Sequence, residues 1–352
     1  MAKVLKAILV TVVLLALAVG GTAYAGYRKL QGYGDQALSD DKKAAPLRVR
    51  IPKGANARQI ASALEREGVI KSARQFYWYT RLIKKSDGLL RPGEYDISPG
   101  LTPSEIVAKL SKGDVVTYKF TIPEGSNLKD IARIIGASGL AKEEEIVALA
   151  YDDEFVKALE VPPAQKHLEG YLFPDTYRFP AGISAKDILR HMRQRMNQAL
   201  TPEIIEKGKA VGLDPHQILT LASIVEKETG APQERPKISC VFHNRLREKW
   251  KLQTDPTVIY GIQNYAGNIT KKDLETPHPY NTYVIPGLPP GPIASPGTAA
   301  IHAAVEPEKC PAFFFVSMNN GTHIFCETLQ CHEKNVKKWQ VEWFKTQRSK
   351  GG

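Results

Sequence analysis

Ile51-Pro52-Lys53-Gly54-Ala55-Asn56 and Ile122-Pro123-Glu124-Gly125-Ser126-Asn127 carry the same local pattern. The likeness continues past both segments. Ile60-Ala61, Leu64 and Gly68 recur at the same offset as Ile131-Ala132, Ile135 and Gly139. Each copy reads as a strand, a Pro-x-Gly turn, an Asn helix cap, an amphipathic helix and a Gly stop. The period is longer than that of a solenoid and there are only two copies. The reading is therefore a duplicated strand–helix unit inside an α+β fold.

The segment between the copies predicts a helix over 73–83 and a strand over 93–97. A helix opens at Thr102-Pro103 and closes at Gly113, and a strand follows over 117–122. The βααβ-like stretch at 48–118 resembles a LysM-like module, which in other proteins holds N-acetylated glycan chains; a spacer with no ligand is the alternative. Beyond residue 140 helices are expected at 142–150, at 185–199, from Thr201-Pro202 and from Asp214-Pro215. Residues 280–297 are rich in Pro and Gly. Residues 312–318 and 322–326 read as a hairpin around Asn319-Asn320-Gly321. A packing helix is expected at 333–345, with Val336, Trp339, Trp343 and Phe344 at helical spacing.

Residues 7–27 carry no charged side chain, and Lys3 and Lys6 precede them. About 20 apolar residues in a helix span a bilayer core. Ala23-Tyr24-Ala25 also fits a signal-peptide cleavage site. The apolar run is longer than a typical signal core, which favours an uncleaved anchor. Lys3 and Lys6 on one side nearly balance Arg28 and Lys29 on the other, so flanking charge decides orientation poorly. With so little chain before the segment, export of the C-terminal body is expected. In an oxidising compartment Cys326 and Cys331, five apart, could bridge; four unpaired buried thiols are the alternative.

The chain has 352 residues, 43% hydrophobic and 24% charged, which excludes a disordered chain, a collagen and a multi-span membrane protein. Its net charge of +11 suits an acidic partner: anionic lipid, an acidic polymer or nucleic acid. Nucleotide-binding, serine-hydrolase and zincin motifs are lacking, and no recognition helix or RNP-like motif points to nucleic acid. Neither a cofactor nor a metal is expected. Peptidoglycan carboxylates or a membrane surface would account for the charge.

The chemistry is expected in the helix from Leu213 to Gly230. Asp214 caps it, Pro215 suits its first turn and Gly230 stops it. On a helical wheel Glu228 falls about 20° from Leu221, about 40° from Ile224 and about 60° from Val225. A carboxyl inside an apolar stripe, at the negative end of a helix, has its pKa raised by both neighbours. A carboxyl protonated near neutral pH is what a general acid requires. Glu226 points about 160° away on the same wheel. Geometry alone leaves three options: a catalytic Glu228, a catalytic Glu226, or structural pairing of either with Lys227 or Arg235. Downstream, residues 252–261 and Tyr280-Asn281-Thr282-Tyr283 offer amides, hydroxyls and aromatic faces suited to sugars, or else an ordinary capped turn. His323 reads as a satisfied structural histidine.

These segments resemble the endolytic murein transglycosylase (YceG-like) family. The resemblance rests on Glu169-Gly170-Tyr171-Leu172-Phe173-Pro174-Asp175-Thr176-Tyr177, Ala222-Ser223-Ile224-Val225-Glu226-Lys227-Glu228-Thr229 and Val241-Phe242-His243-Asn244-Arg245-Leu246. It rests equally on the segments 252–261, Leu274-Glu275-Thr276-Pro277, 280–283 and Gly287-Leu288-Pro289-Pro290-Gly291-Pro292-Ile293, in family order. The match covers essentially all of 48–345. His243, where the family often has an apolar residue, and the four Cys depart from the pattern.

The resemblance implies a single-pass bacterial inner-membrane protein with a periplasmic catalytic domain. Such a protein cuts nascent peptidoglycan glycan strands at the MurNAc–GlcNAc bond and leaves 1,6-anhydroMurNAc ends, with Glu228 as catalytic acid. Gln253, Asp255, Asn281 and Tyr283 are the expected substrate-binding or supporting residues. Peptidoglycan synthases are the expected protein partners. The implied organisation is an anchor with a short cytoplasmic tail (1–29), a linker (30–47), a LysM-like subdomain (48–118), a catalytic domain (119–346) and a tail (347–352). Two rivals differ in product: a glycan-binding scaffold yields no new ends, and a hydrolase using Asp255 or Glu226 as second carboxylate yields reducing ends.

Overall fold

A computed structural model describes residues 2–228, 230–263 and 265–343. Thr229, Phe344 and the tail at 347–352 lie outside the described residues. The chain divides into two compact units, one running to Tyr118 with Phe179–Gly182, the other comprising Lys119–Arg178 and the residues from Ile183 onward. The class is α+β.

The first unit begins with α1 (Ala2–Tyr33), whose stretch from Val4 is exposed and, at mean hydropathy 2.5, long and apolar enough to cross a membrane. Then follow β1 (Leu47–Ile51), α2 (Ala57–Arg66), α3 (Ala73–Trp78), β2 (Gly93–Ile97) and α4 (Pro103–Lys112). β1 and β2 pair antiparallel with Val49 opposite Tyr95. Their inward side chains meet Ile60, Leu64, Phe76, Ile106 and Leu110 in one buried core. Asn56 caps α2 reciprocally with Gln59, and Gly113 ends α4 in the left-handed conformation at φ 75°.

Two details differ from the sequence reading. The helix expected at 73–83 is α-helical only to Trp78 and continues as a π turn over Tyr79–Ile83. The stretch read as a linker is docked: Tyr33 is buried edge-on against Tyr79 at 5.9 Å. Ser39 N donates to Pro99 O (3.0 Å), and Ser98 Oγ donates to Ala44 O (2.8 Å).

The second repeat copy supplies β3 (Thr117–Thr121) and α5 (Leu128–Ala137), capped by Asn127 reciprocally with Asp130. Ile131 and Ile135 are fully buried, each contributing about 1.5–3 kcal/mol. After α6 (Glu143–Ala150) and α7 (Asp153–Ala158), β4 (Thr176–Pro180) pairs with β3. Helices then dominate: α8 (Ala185–Ala199), α9 (Pro202–Ala210), α10 (Pro215–Glu228), α11 (Arg235–Arg247), α12 (Asp255–Gly261), α13 (Lys271–Glu275) and α14 (Thr298–Val305).

α10 is the central helix of this unit. Sequence reading gave it one apolar stripe, but it is buried continuously from Ile218 to Glu226. It packs most extensively on α14, whose Ala300, Ala303 and Ala304 let the two backbones approach closely. The hairpin β5 (Phe314–Ser317) and β6 (His323–Cys326) pairs Phe315 with Phe325, and α15 (Leu329–Val336) follows.

Two disulfides close this end. Cys326–Cys331 ties β6 to α15, one of the two possibilities the sequence left open. Cys240–Cys310, across 70 residues, ties α11 to the segment entering β5; no local spacing signalled it. Together they fix the hairpin and α15.

Candidate active site

The N-terminal end of α10 is set by a reciprocal cap: Gln217 N donates to Asp214 Oδ1 (2.9 Å) and Asp214 N to Gln217 Oε1 (3.0 Å). At its other end three consecutive side chains take separate paths. Glu226 is buried, accepting from Arg235 Nη2 at Oε1 (2.6 Å) and from Gly297 N at Oε2 (2.9 Å). Lys227 donates to Gly125 O (3.1 Å). Glu228, on the last residue of the helix, turns into a cavity of about 460 Å³.

The Glu228 carboxyl is half-buried and is pushed up to about 7. Burial is the main cause. The hydroxyl of Thr254 donates to its Oε1 and opposes the shift; the charge of Asp255 adds to it, and that of Arg245 opposes it. Thr254 is held in turn, because its N donates to Thr282 Oγ1 (3.1 Å) and its carbonyl accepts from Thr257 Oγ1 (2.7 Å). Arg245 is buried beneath, donating to Phe313 O (2.7 Å) and Leu252 O (2.7 Å). Its guanidinium is thus fixed by backbone carbonyls rather than neutralised by Glu228.

The expected binding residues part company. Gln253 and Asp255 line the cavity with Glu228, and Tyr283 joins them, donating to Asp255 Oδ1 (2.6 Å). Asn281 is buried and does not line it. Its Nδ2 donates to the carbonyls of Asp273 (3.0 Å), Leu274 (3.1 Å) and Thr276 (2.8 Å), and its Oδ1 accepts from Tyr283 N (3.0 Å). With every polar atom engaged by backbone, Asn281 shapes the loop that carries Tyr283 and has no group left for a sugar.

The hairpin and α15 complete the lining with Phe314, Ser317, His323 and His332. His323 Nδ1 lies 2.7 Å from Glu234 Oε2, and His323 N donates to Glu234 Oε1 (3.0 Å), the satisfied histidine expected from sequence. Sequence reasoning passed over Thr254 and Arg245, although both stand inside segments it singled out. Arg245 beside Asn244, both buried on a helix otherwise lined by Ile238, Val241 and Phe242, was the available signal. A larger cavity of about 790 Å³ opens at the start of α10. Among the described residues that line it, the one carboxylate, Asp214, is spent on the helix cap. Among the described residues no group of three or more His, Cys, Asp or Glu is arranged to hold a metal.

The YceG-like family profile matches residues 49–338. The chain belongs to the YceG-like family. Its relatives include the endolytic murein transglycosylase of Bacillus subtilis, 35% identical over 323 residues, spanning 87% of this chain and 89% of that protein. The endolytic murein transglycosylase of Streptococcus pneumoniae is 30% identical over 356 residues, 92% of this chain and 63% of that protein. A crystal structure of a yceG-like protein from Listeria monocytogenes superposes with a TM-score of 0.58 at 35% identity, covering 82% of this chain and 98% of that one. In this YceG-like chain, then, the family segments quoted from sequence converge: 222–228, 241–246, 252–261 and 280–283 each send at least one side chain to the Glu228 cavity or to the groups that fix it.

Proposed function

We propose that this YceG-like protein is an endolytic peptidoglycan lytic transglycosylase in which Glu228 is the single acid–base. The observation that carries the reading is the placement of the Glu228 carboxyl in a cavity wall, hydrogen-bonded by Thr254 and beside Asp255, where burial pushes it up to about 7. Protonated, it gives its proton to the glycosidic oxygen between MurNAc and GlcNAc as that bond breaks. The resulting carboxylate takes the proton from the MurNAc 6-hydroxyl, whose oxygen bonds to C1 of the same sugar. One proton leaves Glu228 and one returns; no water is consumed, and the product ends in 1,6-anhydroMurNAc. The nucleophile is intramolecular, so a second carboxylate is unnecessary.

The surroundings of the other carboxylates support this division of labour. Glu226 is engaged by Arg235 and Gly297, away from the cavity. Asp255 accepts from the Tyr283 hydroxyl, and together they present a polar edge where sugar hydroxyls would lie. Gln253 adds an amide to that edge. The names of the curated relatives support peptidoglycan as substrate.

The chain is then anchored in the inner membrane through α1, with its body in the periplasm near peptidoglycan synthases; the length and apolar character of α1 support the anchor. The strand–helix–helix–strand order of β1, α2, α3 and β2 supports a LysM-like glycan-holding role for 48–118.

The test is end-group mass spectrometry of uncrosslinked nascent glycan strands incubated with the full chain, beside Glu228→Gln. Anhydro-ended fragments from the wild type alone are expected. Reducing ends would replace the reading with hydrolysis, and glycan binding without new ends would replace it with the scaffold.

A further inference from the structure

Residues 47–92 hold eleven Lys and Arg against three Asp and Glu, a net +8 of the whole chain's +11. Among the described residues, ion pairs in this stretch engage only Arg48, Arg66 and Arg81. Two adjoining grooves collect much of the remainder. One is lined by Arg50, Lys53, Arg58 and Arg66, the other by Arg58, Arg74, Tyr77 and Trp78. They share Arg58, whose guanidinium lies over the Tyr77 ring at 5.0 Å, while Arg81 donates to the Tyr77 hydroxyl (2.9 Å). Beside them Trp78 is 38% exposed and Leu82, one helical turn on, 48% exposed. The surface is thus cationic with an apolar and aromatic fringe.

Its position gives the charge a meaning. α1 packs on α3 and on the π turn that follows, through Tyr33 against Tyr79. Tyr33 stands only six positions beyond Tyr27, the last residue of the uncharged stretch, which is about 9 Å of helix. That is close to the Debye length at physiological ionic strength, and Tyr33 also reaches Ser72 at the start of α3, so the α3 edge of the patch stands near whatever surface α1 enters.

We propose that the outer face of α2, α3 and the π turn is a second membrane contact, binding anionic phospholipid headgroups through Arg50, Lys53, Arg58 and Arg74, with Trp78 and Leu82 at the interface. The inference rests on the reading of α1 as a membrane helix. Basic side chains draw the unit onto an anionic leaflet, and Trp sits at the headgroup level. Such a contact would hold the membrane-proximal unit against the leaflet rather than leave it free to pivot on α1.

The test reconstitutes the full chain into phosphatidylcholine vesicles with and without phosphatidylglycerol. Flotation reports α1, and amide exchange of peptides spanning 50–85 reports the patch. Flotation with both vesicles is expected, with slower exchange at 50–85 only where phosphatidylglycerol is present and reversal at high salt. Each of Arg58→Gln and Arg74→Gln should weaken that protection by about fivefold. These residues are exposed, so folding should be unaffected, and unchanged exchange at the buried β1 and β2 amides checks this. Failure to float would overturn the reading of α1. Flotation without lipid-dependent protection would overturn the patch, as would protection produced by soluble glycan strands and not by phosphatidylglycerol.

Discussion

In the first copy of the repeat the turn after the strand carries Lys53 and Gly54 into solvent, with Gly54 at φ 81° and nothing packed where a Cβ would stand. In the second copy the same turn, with Gly125 at φ 74°, is wedged beneath the end of α10. Gly125 O accepts from Lys227 Nζ, and Gly125 N donates to Ser295 O (2.9 Å). Glu124, the counterpart of Lys53, lies 3.9 Å from Arg235, the partner of Glu226. The caps and the left-handed glycines are common to both because they are local necessities of a strand-to-helix turn. What differs is the side chain between Pro and Gly and the element that lands on it. One copy became a basic surface, the other a support for the helix end that bears Glu228.

That support is most costly to remove at Arg235. Arg235→Ala leaves Glu226 buried without its cation and should cost about 3–5 kcal/mol in denaturant unfolding. Lys53→Ala in the other copy should stay within about 0.5 kcal/mol. Equal losses would end the contrast between the copies.

The next effect concerns Glu228. Its folded pKa lies above its ordinary value of 4.5, so the native state holds the proton more tightly than the unfolded chain does. Its favourable contribution is complete below about 4.5 and is lost as pH rises through about 7. Glu228→Gln should therefore be more stable than the wild type at pH 8, on the order of 1–3 kcal/mol after solvent screening. The gap should close at pH 4; thermal unfolding at the two pH values measures it. Thr254→Val removes the hydrogen bond that favours the carboxylate. The alkaline limb of kcat/KM should then move up, by about one pH unit. A fall in rate with an unmoved limb would make Thr254 merely structural.

The smallest pair returns to the turns. Gly54→Ala and Gly125→Ala each force an L-residue into the left-handed region at about 1 kcal/mol. Only Gly125→Ala should alter cleavage, since its Cβ would stand 3.4 Å from Lys227 Cδ beside Glu228.

Which features were legible follows from their range. Caps at Asn56, Asn127 and Asp214, stops at Gly68 and Gly139, and the hairpin about residues 319–321 are decided within a few residues, and they read directly. The wheel placed Glu228 among apolar neighbours because helical period alone fixes that. The partners of Glu228 come from segments 17 or more residues away: Arg245 from α11 and Thr254 from the turn entering α12. No local rule joins these to α10. Cys240–Cys310 was illegible for the same reason, and the two roles open to Asn281, gripping a sugar or supporting the site, could not be told apart, because an amide in a loop looks alike whether it serves a sugar or its own backbone. The continuous burial of α10 likewise depends on α14, some 70 residues later, whose small residues could not be assigned to it from the sequence.

The proposed chemistry requires Glu228 to hold a proton near neutral pH. Carboxyl carbon-13 titration of the glutamate-labelled protein, with the Glu228 signal assigned by its loss in Glu228→Gln, measures this directly. A midpoint at about 7 is the predicted result. A midpoint at the ordinary carboxylate value, near 4.5, would leave Glu228 ionised at neutral pH and contradict its role as the acid.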